Sequence, residues 1–180
     1  MKKKIFIIVI LMTLFITGCE KKEEKNLDAV KFKEEYETLN NDYLNVSVSD
    51  NNPFVYKNSD DIKNMMDNKE TFLVFIGKSD DNYSRSLVET LNNSAYDNDL
   101  EVIYYINSNY DNLKDVLDSE VNIPIIFNVL NGKVETILTN FSSYNGKDDL
   151  TDEMKKENYD LINPIIKDTI DTINTCNTEC

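Results

Sequence analysis

Histidine and tryptophan are absent from this 180-residue chain, and it holds only four glycines, three prolines and three cysteines. Without imidazole there is no Ser–His or Cys–His pair and no histidine-bearing zinc site, so many hydrolase and zinc chemistries are excluded. Neither G-x-x-x-x-G-K-[ST] nor G-x-G-x-x-G occurs, and four glycines cannot build a phosphate cradle of that kind. Basic residues are also scarce. Nineteen Lys and Arg face 33 Asp and Glu, a formal net charge of −14. An acidic surface repels nucleic acid and anionic headgroups, which sets nucleic-acid binding aside. The pairs Asp60–Asp61 and Asp148–Asp149 lack the ligand spacing of a calcium loop and read as solvated helix starts. No cofactor and no metal are expected.

What is present begins at the N-terminus. Lys2, Lys3 and Lys4 precede an apolar stretch over residues 5–16, which closes in Leu14-Phe15-Ile16-Thr17-Gly18-Cys19. A basic start, an apolar core and small residues at a cleavage point describe a secretory signal. About a dozen apolar residues fall short of the roughly 20 that cross a bilayer, which disfavours a spanning anchor. Cys19 directly after Gly18 resembles the bacterial lipobox. That resemblance implies a diacylglycerol on the Cys19 thiol, with Cys19 as the mature N-terminus and the rest of the chain outside the cytoplasm. Residues 1–18 are then the signal peptide, 19–28 the lipidated cysteine and a flexible charged tether, 29–175 one folded domain, and 176–180 a C-x-x-x-C tail. Loss of Lys2, Lys3 and Lys4 leaves 16 − 33 = −17. The acyl chains, not the protein face, must therefore supply membrane attachment.

Strand and helix signals alternate through the domain. Val30, Phe32, Tyr36 and Leu39 have roughly helical spacing, while Leu44, Val46 and Val48 alternate as in a short edge strand. Residues 54–56 form a short strand after Pro53, and Ser59, Asp60 and Asp61 open a helix bearing Ile62, Met65 and Met66. The run over residues 71–76 is continuously apolar, as in a strand buried on both faces. A polar loop over 78–82 leads to a helix with Leu87, Val88 and Leu91. Residues 100–106 make a second central strand, and 110–117 a helix. Two more strands, 123–129 and 134–138, flank Asn131-Gly132, a strong hairpin signal. A long helix opens at Thr151, where Pro164 predicts a kink or a split with Asn163 as a new cap. This order predicts an α/β sandwich with a central mixed sheet flanked by helices.

Three places in that order resemble a thioredoxin-fold domain: the strand ending Phe75-Ile76-Gly77 with a helix start just beyond, Val121-Asn122-Ile123-Pro124-Ile125, and the Asn131-Gly132-Lys133 turn. Asn52-Pro53-Phe54-Val55-Tyr56-Lys57 and Leu150-Thr151-Asp152-Glu153 resemble, more closely, secreted thioredoxin-like proteins of low-GC Gram-positive bacteria, a group near bacteriocin transport accessory proteins. The resemblance implies a C-x-x-C redox motif at the helix start, and beside it a cis proline at Pro124 whose neighbour Ile123 helps bind an extended peptide.

The departure from the family pattern is the informative part. Against Gly-Arg-x-x-Cys-Pro-Tyr-Cys-Arg the chain reads Gly77-Lys78-Ser79-Asp80-Asp81-Asn82-Tyr83-Ser84-Arg85. Asp81 and Ser84 stand where the two cysteines would, and a serine without a nearby base does not ionise. Thioredoxin-type exchange needs a low-pKa thiolate, so it is excluded there. Asp81, Asn82, Tyr83 and Ser84 then serve as a helix cap or as part of a retained docking surface, and the Asp80–Asp81 pair favours a basic peptide. Cys176 and Cys180 have three competing uses: an inert terminal disulfide, a replacement redox pair, or an intermolecular contact. The expected function is a lipid-anchored binding or accessory module for an extended peptide or envelope protein, leaning away from an enzyme. A thiol–disulfide oxidoreductase working through Cys176 and Cys180 is the alternative.

Overall fold

The computed structural model describes the backbone of residues 17–107, 114–117, 122–142 and 150–178, with side chains between Leu27 and Thr175 except 115 and 116. The predicted signal stretch up to residue 16, part of the predicted 110–117 helix and Cys180 lie outside the described residues.

The elements in chain order are α1 (Thr17–Glu37), β1 (Phe54–Tyr56), α2 (Ser59–Asp67), β2 (Phe72–Gly77), α3 (Asn82–Asp97), β3 (Ile103–Asn107), α4 (Lys114–Leu117), β4 (Ile125–Leu130), β5 (Lys133–Leu138) and α5 (Asp152–Thr178). The strands form one five-stranded mixed sheet ordered β1-β3-β2-β4-β5. β1, β3 and β2 run parallel; β4 lies antiparallel to β2 and β5 antiparallel to β4. Every residue of β2 is buried because helices cover both faces of the sheet. Leu73 and Phe75 join Phe32, Phe54, Leu87, Leu91, Ile162 and Ile166 on the side of α1, α3 and α5. Phe72, Val74 and Ile76 join Ile62, Leu117, Phe127 and Val129 on the side of α2 and α4. This is the predicted α/β sandwich.

Two expectations are corrected. The predicted edge strand over Leu44, Val46 and Val48 does alternate buried and exposed, yet among the described residues it joins no sheet ladder. Side chains take its inward backbone groups instead. Leu44 N–H donates to Asn82 Oδ1 (2.7 Å), Val46 N–H to Asn40 Oδ1 (3.0 Å) and Val48 N–H to Glu37 Oε1 (2.9 Å). Residues 20–26 continue α1 as helix. Lys and Glu are good helix formers, and the packed half of α1 beyond Asp28 supplies the nucleus. Of the kink or split expected at Pro164, the split does not occur: the last helix runs on across it. Asp160 and Pro164 are both exposed, so the carbonyl that loses its N–H partner is on the wet face. Asn163 is no cap: its Oδ1 accepts from Asn98 Nδ2 (2.7 Å) and Ser94 Oγ (3.2 Å), tying α5 to α3.

The two sheet edges are treated differently. Along β1, α1 lies alongside: Asp28 Oδ2 accepts from Tyr56 N–H (3.0 Å), Asn52 Nδ2 donates to Ala29 O (2.8 Å), and Phe32 stacks on Phe54 at 4.0 Å. Among the described residues β5 has a neighbour on one side only, and a register shift at Asn128/Val129 interrupts its pairing. The shift lets Val134 pack with one core and Leu138 with the other. At the β4–β5 turn Asn131 and Gly132 both have positive φ, as the Asn-Gly signal predicted.

Candidate functional site

α3 begins where β2 ends, and Asp81 is its N-cap, with extended backbone at φ −127° and ψ 119°. Asp81 Oδ2 accepts from Ser84 N–H (2.8 Å) and from the Ser84 hydroxyl (2.7 Å). Ser84 Oγ in turn accepts from Lys78 N–H (3.0 Å). The hydroxyl is therefore committed in both directions, and Ser84 is 0% exposed. The sequence reading supposed that no base stood near Ser84; a carboxylate does. Both hydrogen bonds of the hydroxyl are already spent, and burial keeps Ser84 from any substrate. The chemistry of the pair is capping.

Asn82 and Tyr83 point elsewhere. Asn82 accepts from Leu44 as above, and Tyr83 is 50% exposed. The next residue is the one that sequence reasoning underrated. Arg85 is 1% exposed. Its Nε donates to Leu44 O (2.6 Å), Nη1 to Ser79 O (2.7 Å) and Nη2 to Asn40 Oδ1 (2.6 Å), and its guanidinium carbon lies 5.6 Å from the centre of the Tyr36 ring. Burial pulls its pKa below the ordinary value, but a guanidinium stays protonated at any working pH. The signal was present: Arg85 stands three residues before Val88 on the buried stripe of α3. Below it, Tyr36 donates to Tyr105 Oη (3.2 Å) and Tyr105 to Gly77 O (3.3 Å), the carbonyl that ends β2. Burial raises both phenol pKa values.

The Ile123–Pro124 peptide is cis, with Pro124 buried and Ile123 half-buried at the start of β4. Ile76 pairs with Ile125, so Gly77 and Pro124 stand at one end of two antiparallel neighbours. The loop over 78–81 and residues 122–124 thus share that end of the sheet.

The backbone of Cys176 lies elsewhere in the fold. Lys155 on α5 bonds Glu89 (2.9 Å) and Asn163 bonds Asn98, so α5 advances along α3 towards the C-terminal end of α3. The backbone of Cys176 is thirteen residues beyond Asn163 on the same helix, roughly 20 Å further from Asp81. Cys19 falls within the described backbone of α1. Among the described residues there is no group of three or more cysteine, aspartate or glutamate side chains able to hold a metal ion. No helix among them is long and apolar enough to cross a membrane. Compared with protein-family models and with characterised proteins, the chain matches none.

Proposed function

We propose that this protein is a lipid-anchored, extracytoplasmic thioredoxin-like module that binds extended polypeptide and no longer performs thiol–disulfide exchange at the start of α3. The observation that carries the reading is the Asp81–Ser84–Lys78 hydrogen-bond set. Two oxygen side chains fill the places of the family's cysteines and are spent on satisfying backbone and each other. The five-stranded mixed sheet and the proline opening β4 support the same scaffold. At that end Asn122 is exposed and Ile123 half-buried, leaving this edge of the chain within reach of a polypeptide segment.

The test uses the full chain in detergent micelles, assayed for reduction of insulin disulfides beside a Cys176→Ser/Cys180→Ser variant. Inactivity of both supports the binding module. Activity lost in the variant would move the chemistry to the C-terminal pair, and activity shared by both would overturn the reading altogether. The anchor is tested by labelling cells with radioactive palmitate; incorporation should vanish in Cys19→Ala.

A further inference from the structure

We propose that Arg85 is the positioning residue of this docking end, and that the end has two walls, the 78–81 loop and the 40–46 segment, held in register by one guanidinium. The proposal rests on the peptide-binding reading above and adds to it a second wall and the residue that fixes both. Segment 40–46 lies more than thirty residues from the loop in sequence and shares no sheet with it. Its attachment there consists of Leu44 N–H on Asn82 and two of the three Arg85 hydrogen bonds, to Leu44 O and Asn40 Oδ1. The third Arg85 bond goes to Ser79 O in the loop.

Every acceptor Arg85 uses is a neutral oxygen, and it forms no ion pair among the described residues. A buried cation without a counter-ion is a costly way to fill space. What it supplies is a rigid planar fork with three fixed directions, which no other side chain offers. Asn40 extends the fork, because its Oδ1 also accepts from Val46 N–H while its Nδ2 donates to Val46 O (2.9 Å). The elements so joined each carry a solvent-facing tyrosine, Tyr43 (37% exposed) on the segment and Tyr83 at the start of α3. A polypeptide that spans both walls would meet both rings, in a relative position that Arg85 sets.

The experiment compares the full chain in micelles with Arg85→Lys and Arg85→Met. Lysine keeps the charge but reaches one acceptor instead of three. Hydrogen exchange read by mass spectrometry should quicken about tenfold in peptides covering both 40–46 and 78–84, with β2, β4 and α5 unchanged. Quickening in one segment alone, in neither, or uniformly across a folded chain overturns the proposal; if Arg85→Met does not fold, Arg85→Lys alone decides, and failure of both to fold overturns it, since the role would then be global. A second readout follows 3-fluorotyrosine resonances of Tyr43 and Tyr83 during titration with an unstructured lysine-rich decapeptide. Both should shift together in the wild type, and only Tyr83 in Arg85→Lys. Equal shifts in both proteins overturn the positioning role. No shift in the wild type overturns the peptide-binding reading, while the exchange data still decide the clamp.

Discussion

Installing cysteine at both cap positions, Asp81→Cys with Ser84→Cys in a Cys176→Ser/Cys180→Ser background, should create thiol–disulfide exchange at the start of α3. Asp81 Oδ2 lies 2.7 Å from Ser84 Oγ, so the two side chains converge, and a disulfide of about 2.05 Å requires the shorter cysteine side chains to meet from Cβ atoms about 3.8 Å apart. The energies nearly cancel. Losing the Asp81 cap costs about 0.5–2 kcal/mol, while closing so short a loop contributes about 2 kcal/mol when oxidised. The oxidised variant should therefore melt within a few degrees of its parent, and the reduced one lower by about 2–4 °C per kcal/mol lost. The amides at the start of α3, now serving Asp81, would stabilise a thiolate, drawing one thiol from about 8.5 into the range of roughly 3.5–7.5. Reaction with a thiol-specific disulfide reagent as a function of pH measures that value, and insulin reduction measures turnover. Two thiols that stay free in oxidised glutathione, or titrate near 8.5, would refute the claim that positions 81 and 84 form an opposed pair at a helix start.

Other outcomes follow from the packing. Gly132→Ala should lower stability by about 2 kcal/mol or more in denaturant titration, since φ is +78° and a Cβ would lie 2.2 Å from Met66 O. Pro164→Ala should raise stability by about 2 kcal/mol, because it restores an N–H to an exposed turn of α5 and removes a ring from a helix interior. Alkali should destabilise the fold. Burial raises the Tyr36 and Tyr105 phenols in the folded state, so above about pH 10 the unfolded chain releases protons that the native one retains. Stability contributed by these groups is full below that pH and falls as it is exceeded. Tyr36→Phe should flatten the fall in unfolding midpoint between pH 9 and 11.5.

The sheet was readable because its strands announce themselves. β2 is an unbroken apolar run and β4 and β5 flank Asn-Gly, signals that depend only on neighbours along the chain. The cap was readable for the same reason, since Asp81 and Ser84 are three residues apart. Long-range polar contacts were not. Nothing local distinguishes Arg85 from a solvated arginine except its place on the α3 stripe, because its partners Asn40 and Leu44 are more than forty residues away. The apparent strand at 44–48 misled for a related reason. Alternation reports which side chains are buried, and it is silent on whether the backbone pairs with another strand or with the side chains of Asn40, Glu37 and Asn82. Asn163 repeats the lesson: a good capping residue before proline serves α3 instead.

Consider, finally, the two margins of the sheet in a crowd. Molecules at high local concentration meet their neighbours often, and bare strand margins are then an invitation to polymerise. On one side the α1 carboxylate of Asp28 occupies the Tyr56 amide that an intruding strand would need. On the other, the irregularity in β5 and the alternating charges of Lys133 and Glu135 spoil the regular spacing a guest must match. The fold carries its own protection against becoming a fibre.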